Sequence, residues 1–511
     1  MIERRLKRSE IIILILSSVI IMTVVSASSP IYPFNVWDDI NCFFTVGRGI
    51  IEGEVPYRDL YEQKGPLLYF LYAGAALVSD NSFIGGWILE IISSSIFAVF
   101  SWKCVKLFIA DVPSYCVFSV PLLMGIVYTT GMFNFGGSAE ELCFPLLLIV
   151  LYIALEAVVS GSSFIPSRKN VFICGIITAI LFWIKYTFIG FVLAYALILL
   201  IFAVKNKKYR ELVSSVLCFA GAFVLFSIPV LLYFVFNDSS DKLWEVYFYN
   251  NIFRYMPGNE HTGILANPIV GFLFTPLSGV YKSCTNYPGF GVLLLLSILG
   301  AVFIEKKYRK SILILFAFSF FVSIKLIFAA DFYVYYYAYL LSFYFVFALI
   351  LAVCGLIFVE KRLSSVNNMY RPVTAAIMIL VSCSSVAMSK NTYLLSVSKS
   401  ELSQFIFADI INQTDDPKVL TYDVMDAGFY TAANILPSNR FFCYLNSKTS
   451  FPEIGEEQER LIEEGYFDYI VTYSDEYDWD NYELILTDTD PYCDFTKELY
   501  LDQHCLYQRI S

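Results

Sequence analysis

Polar and apolar positions in this chain are sorted into long blocks, unlike the short alternations of a soluble domain. The basic opening MIERRLKRSE gives way to an apolar run over residues 11–28. A run of that length can cross a hydrocarbon layer as one helix. No small-x-small cleavage site precedes a soluble mature segment, and further apolar runs follow, so the pattern predicts a retained first span and not a removed signal peptide. Ten more runs occupy residues 83–102, 112–129, 142–159, 171–184, 187–204, 212–236, 290–304, 312–328, 335–359 and 373–388. Together they predict a polytopic α-helical membrane protein of about eleven transmembrane helices. The segment PLLYFLYAGAALVS, residues 66–79, reaches only about 20 Å as a helix and is expected to lie at, or dip into, the interface.

Charge orients these spans. With the chain starting in the cytoplasm and residues 66–79 not spanning, the loops on the cytoplasmic side hold Lys103 and Lys106, Arg168 and Lys169, KNKKYR at 205–210, EKKYRK at 305–310, and Lys361 with Arg362. Every basic cluster then falls on one side, as the positive-inside rule requires. The first outer loop, about residues 29–82, the loop GMFNFGGSAEE, the stretch 237–288 and everything after residue 389 are expected outside the cell. The protein is read as a multi-pass plasma-membrane protein with a cytoplasmic N-terminus.

The chain changes character near residue 390. KVLTYDV, NRFFCYLN, FDYIVTYS and YELILTD have strand-like content, whereas SELSQFIFADIINQ and EEQERLIEEGY carry helical spacing. Residues 1–389 are expected to form the membrane domain and 390–511 a small extracytoplasmic α/β domain. Composition agrees: of 511 residues 58% are hydrophobic and only 16% charged. The net charge of −10 gathers in the C-terminal part, where it reads as solvated surface, and nucleic-acid binding is not indicated. Twelve cysteines occur without a CxxC pair, mostly inside apolar runs, with Cys493 and Cys505 left as a candidate disulfide. The two histidines, His261 and His504, are too few to suggest a histidine metal site.

Chemistry concentrates in the polar island WDDINCFFTVGRGIIEGEVPYRDLYEQKGPL, residues 37–67. Ionisable groups beside a membrane tend to be functional. Asp38 and Asp39 supply a candidate general base, or else an interfacial cap or a partner for Arg48 or Arg58. Glu140 and Glu141, in GGSAEELCFPL, would hold a divalent cation such as Mg or Mn, or simply begin a helix. Lys64, Lys185 and Lys325 sit near outer ends of apolar runs, where they could meet a phosphate or snorkel to the interface. Arg254 is a further candidate phosphate ligand. Tyr57 and Arg58 of the PYRD turn, with Tyr335 and Tyr336 of the tract DFYVYYYAYLLSFYF, are candidate cavity walls for a sugar and a lipid.

An acidic pair after the first helix, a glycine eight residues after Asp39, the sequence G-x-x-PYRD and then KGPL resemble the first outer loop of GT-C-fold glycosyltransferases. The likeness is to the bacterial branch related to protein O-mannosyltransferases, the aminoarabinose transferase of lipid A and the RgtA/B/C/D-like transferases. It continues in GGSAEELCFPL, in the lysine of FWIKYT and in the tyrosine-rich late run, so it covers most of the membrane part. The resemblance implies an inverting transferase that moves sugar from a polyprenyl-phosphate donor to a hydroxyl of an envelope glycan, lipid or protein at the outer face. It implies Asp39, ahead of Asp38, as the base, Lys64 as donor-phosphate ligand and Glu140 or Glu141 as the second acidic site. The family's usual Asp-Glu pair is Asp-Asp here. The rival is a transporter or flippase of lipid-linked sugars, which would show paired repeats and midplane charges; here the charges gather at outer ends and no repeat is evident.

Overall fold

The computed structural model describes the chain except residues 1–5, 110, 131, 132, 134, 162, 163, 255–276, 278, 279, 282, 283, 286, 287, 319–337, 364–368, 444–449, 494–498 and 511. Helix α1, Arg8–Val25, leads the bundle. It is followed by α2 (Asp38–Glu52), α3 (Pro66–Ala76), α4 (Ile84–Phe108), α5 (Ser119–Tyr128), α6 (Ala139–Val159), α7 (Arg168–Lys185), α8 (Gly190–Lys205) and α9 (Tyr209–Phe236). After a π-helical segment, Leu243–Arg254, come α10 (Pro288–Val302), α11 (Lys306–Phe318), α12 (Ala338–Leu363) and α13 (Tyr370–Ala387).

Among the described residues, six stretches are long and apolar enough to cross a membrane: Arg8–Val25, Ile84–Phe108, Ala139–Val159, Arg168–Lys205, Tyr209–Phe236 and Tyr370–Ala387. The chain is an integral membrane protein. Parts of the expected spans at 312–328 and 335–359 lie outside the described residues. On α9, Leu217, Leu225 and Phe236 project outward, as side chains do that face lipid tails and not water. Lys106, read from sequence as a loop charge, is instead buried and pairs with Glu10 at 2.7 Å, tying α4 to the first turn of α1.

Helices α2 and α3 pack closely across each other. Their crossing depends on Gly47, where a Cβ would lie 2.6 Å from the backbone nitrogen of Ala73. Only a residue without a side chain permits that approach. As expected for a segment too short to span, α3 has just 11 residues.

Beyond α13 the chain forms α14 (Ser403–Ile411), β1 (Val419–Thr421), α15 (Pro452–Glu463), β2 (Tyr469–Thr472), β3 (Tyr482–Cys493) and β4 (Leu499–Arg509). The sheet order is β1-β2-β4-β3, with β1 and β2 parallel and the remaining pairs antiparallel. A parallel pair needs a long crossover, and α15 lies within it. The candidate disulfide fails here. Cys493 faces Leu499 whereas Cys505 faces Thr487, six positions along β3 or about 20 Å, far beyond disulfide reach.

This region is docked on α2 by buried polar contacts. Arg48 donates to the carbonyls of Tyr430 and Ile435 at 3.2 and 3.1 Å and to Asn434 Oδ1 at 2.9 Å. Thr45 donates to Asp426 at 2.5 Å, and Cys42 meets Cys443 at 3.7 Å between sulfurs. Arg48 is therefore committed to the C-terminal region and is not a partner of Asp38 or Asp39. One hydrophobic core runs from α1 through α2 into β2 and β4, and a second, smaller one packs Leu461 and Ile462 of α15 against Ile470 and Tyr507 of the sheet.

Candidate active site

The corner Lys64-Gly65-Pro66 is built by backbone contact. The Gly65 N–H donates to the Ile184 carbonyl at 3.0 Å, and a Cβ on Gly65 would collide with the carbonyl of Trp183. Pro66 then opens α3 at its first turn, where a missing N–H costs nothing. This contact sets Lys64 beside the C-terminal end of α7 and hence near Lys185. The Tyr57 hydroxyl donates to the Lys64 carbonyl at 2.6 Å and that of Tyr69 at 3.1 Å, fixing the backbone that carries the ammonium.

Each lysine has a carboxylate partner. Lys64 lies 3.6 Å from Glu62, a buried side chain that also accepts the Lys64 N–H at 2.8 Å and the Tyr69 hydroxyl. Lys185 pairs with Glu140. Glu140 stands in the first turn of α6 and Lys185 in the last turn of α7, so each charge suits the helix end it occupies.

Asp38 and Asp39 open α2, where the helix dipole favours negative charge. Successive helical residues point about 100° apart, and the two carboxyls meet different surroundings. Both are half-buried and surrounded by protein, which raises both pKa values. For Asp39, burial raises it most, Lys64 and Lys185 lower it, and Glu140 and Glu62 raise it further. For Asp38, burial is joined by Asp39, Asp502 and Asp426, all raising, and the carboxyl stands well above the usual range. Asp39 belongs to a pocket of mixed charge with two ammonium groups, whereas Asp38 belongs to a carboxylate-rich one.

The other predicted residues are placed as follows. Glu141 accepts the Gly137 N–H at 2.9 Å while its own N–H is capped by Ser138 at 3.0 Å, so it begins the helix. Arg254 grips Glu453 at 2.6 and 2.9 Å. Arg58 pairs with Asp59 at 2.7 Å and donates to the Asn237 carbonyl at 2.8 Å. Tyr57 is fully buried and serves the Lys64 backbone, not a cavity wall. Tyr335, Tyr336 and Lys325 lie outside the described residues. Nor does the acidic pair fit a divalent cation, which takes several oxygen ligands at once. Glu140 is engaged by Lys185 and Glu141 by the helix start, and among the described residues no three His, Cys, Asp or Glu side chains are placed to hold a metal ion.

Sequence reasoning missed Glu62 and a whole second wall. A polar cavity of about 230 Å³ lies between α2 and the C-terminal sheet, lined by Asp38, Gln404, Tyr473, Asp490, Asp502 and His504 among others. Burial pushes Asp502 up to about 6 and His504 down to about 4. Asp426, fully buried behind α2, is raised to about 6 although Thr45, the Gly428 N–H and Arg48 oppose the rise. The expectation of a merely solvated acidic surface is thus corrected for Asp426 and Asp490, both buried. A signal existed: the alternation Thr487-Asp488-Thr489-Asp490 puts two carboxyls on one face of a strand.

The helical bundle, the α2–α3 corner and the C-terminal sheet together make one fold. It is shared over nearly the whole chain with ArnT from Cupriavidus metallidurans. The ArnT structure bound to undecaprenyl phosphate matches with a TM-score of 0.52 and 12% identity, covering 99% of each chain. The apo structure of the same protein gives a TM-score of 0.53 at 12% identity over 98% of each chain. The sequence matches no protein-family model and no curated protein.

Proposed function

We propose that the chain is an inverting glycosyltransferase that takes sugar from a polyprenyl-phosphate donor at the outer face of the membrane. The observation that carries this reading is the placement of one carboxyl, Asp39, within the field of two ammonium groups, Lys64 and Lys185. The shared fold with a protein whose structure holds undecaprenyl phosphate supports it. An apolar recess of about 520 Å³, lined by Ile50, Leu67, Phe70, Phe226 and Tyr233 among others, begins at Leu67, three residues beyond Lys64. It offers a place for the polyprenyl chain next to the cations that would hold its phosphate.

In the mechanism, Asp39 accepts the proton of the acceptor hydroxyl while that oxygen bonds to the anomeric carbon. The bond from that carbon to the phosphate oxygen breaks, and its electron pair leaves with the phosphate, whose charge Lys64 and Lys185 stabilise. Attack opposite the leaving group inverts the centre. Because phosphate leaves without protonation, no second carboxylic acid is needed, unlike glycoside hydrolysis. The raised pKa of Asp39 strengthens it as a base, and the lysines keep it ionisable. No step is routed through a metal.

The test is sugar transfer by the full chain in lipid, offered a panel of polyprenyl-phosphate sugars with membrane extract as acceptor. Transfer from at least one donor, with inversion at the anomeric carbon, is expected. Absence of transfer from every donor, or retention, would contradict the reading.

A further inference from the structure

The cavity on the Asp38 side has no place in the mechanism above, yet its walls are chemically specific. Register places Asp490 opposite Asp502 and Asp488 opposite His504. These four residues therefore share one face of the β3–β4 ladder. Gln404, from α14, and Asp38, from α2, complete the polar wall, with Tyr473 and Tyr492 beside them.

Several of the groups lining this cavity are unsatisfied. Both ring nitrogens of His504, Asp490 Oδ2 and Gln404 Oε1 are buried and make no hydrogen bond, on side chains only 2, 3 and 1% exposed. His504 Nδ1 lies 3.4 Å from Asp490 Oδ2, and the other Asp490 oxygen is taken by the Ser403 N–H at 2.7 Å. An orphaned buried polar group is costly to leave unpaired, so their gathering around one hollow indicates a ligand that completes them. The hollow of about 230 Å³ is several times the roughly 30 Å³ share of one water.

We propose that this cavity is a saccharide subsite for the acceptor, so that the C-terminal domain chooses what receives the sugar. The inference rests on the transferase reading for the word acceptor, but not for the binding itself. Carboxylates accept hydrogen bonds from neighbouring ring hydroxyls, the imidazole can accept one and donate another, and tyrosine rings cover the C–H face of a sugar. An anion is disfavoured among Asp38, Asp490 and Asp502, which separates this hollow from the lysine side where a donor phosphate belongs. Asp38 adjoins Asp39, so a ring held here brings a hydroxyl toward the base.

Saturation-transfer NMR on the full chain in detergent, with a panel of methyl hexosides and methyl pentosides, tests the binding without turnover. At least one glycoside should show saturation that Gln404→Leu weakens by about tenfold in affinity, the scale of a lost hydrogen bond to a buried group. Asp502→Asn, half-exposed and isosteric, should weaken it too and serves if the first variant melts early. No saturation by any glycoside, or equal saturation in both variants, means a water-filled hollow and overturns the proposal. Displacement of the glycoside by polyprenyl-phosphate sugar would assign the hollow to the donor and overturn the acceptor assignment; persistence supports it. Failed transfer with intact glycoside binding would sink the transferase reading and leave the subsite standing.

Discussion

Two neighbouring carboxyls at the start of α2 face opposite chemistries. Asp39 looks toward Lys64, Lys185, Glu140 and Glu62, groups supplied by α6, α7 and the stretch between α2 and α3. Asp38 looks toward Asp502 and Asp426, supplied by the chain beyond α13. One turn of helix thus joins a pocket suited to an anion with a pocket suited to hydroxyl donors. The difference teaches that an acidic pair is not a redundant pair, because a one-residue step on a helix changes every neighbour. The chain beyond α13, whose charge alone reads as solvated surface, supplies the wall that Asp38 faces.

Breaking the anion side should have the largest effect. Lys64→Met is expected to lower kcat by about 10²–10³-fold, the scale of losing one preorganised charge on a leaving group. The same variant should move the acidic limb of the rate profile to higher pH, since Lys64 lowers the Asp39 pKa. Glu62→Gln should move that limb to lower pH, since Glu62 raises it. A pH–rate profile of the three proteins checks both signs.

Asp426 tests the docking of the carboxylate-rich side. Its pKa is raised from 3.8 to about 6, so its contribution is fully present below pH 3.8 and is lost as pH rises through about 6. Ionised above that, it costs up to about 3 kcal/mol. Asp426→Asn keeps an acceptor for the Gly428 N–H and gains a donor toward Thr45. The variant should melt higher than wild type at pH 8 and equally at pH 4. A smaller effect is expected from Arg48→Met, which strips hydrogen bonds from Tyr430, Asn434 and Ile435. A loss of about 1–3 kcal/mol should appear as faster proteolysis of the chain beyond α13. The smallest effect is chelation: because Glu140 and Glu141 are engaged elsewhere, EDTA should leave the transfer rate within about twofold, set against the several kcal/mol that a catalytic metal supplies.

The lysine side was legible in sequence because it is local. Asp39, Lys64 and the glycine that seats Lys64 fall within 27 residues, and the apolar blocks around them announce a membrane bundle. Lys185 was legible only as a charge near the end of an apolar run; its partner Glu140 required the packing of α6 on α7. The carboxylate side was hidden because it is assembled over distance. Asp38 meets residues of β3 and β4 near the chain's end, and the pairing of Asp490 with Asp502 depends on a register that no local pattern states. The pairing of Arg254 with Glu453, on α15, was hidden for the same reason.

The most direct measurement compares Asp39→Asn with Asp38→Asn in the same transfer assay, separating kcat from the KM of donor and acceptor. The account predicts that Asp39→Asn lowers kcat by at least about 100-fold, the contribution of a general base, while both KM values stay near wild type. Asp38→Asn should keep most of kcat and raise the acceptor KM alone. Equal losses in the two variants, or a larger kcat loss for Asp38→Asn, would contradict the division between the two pockets.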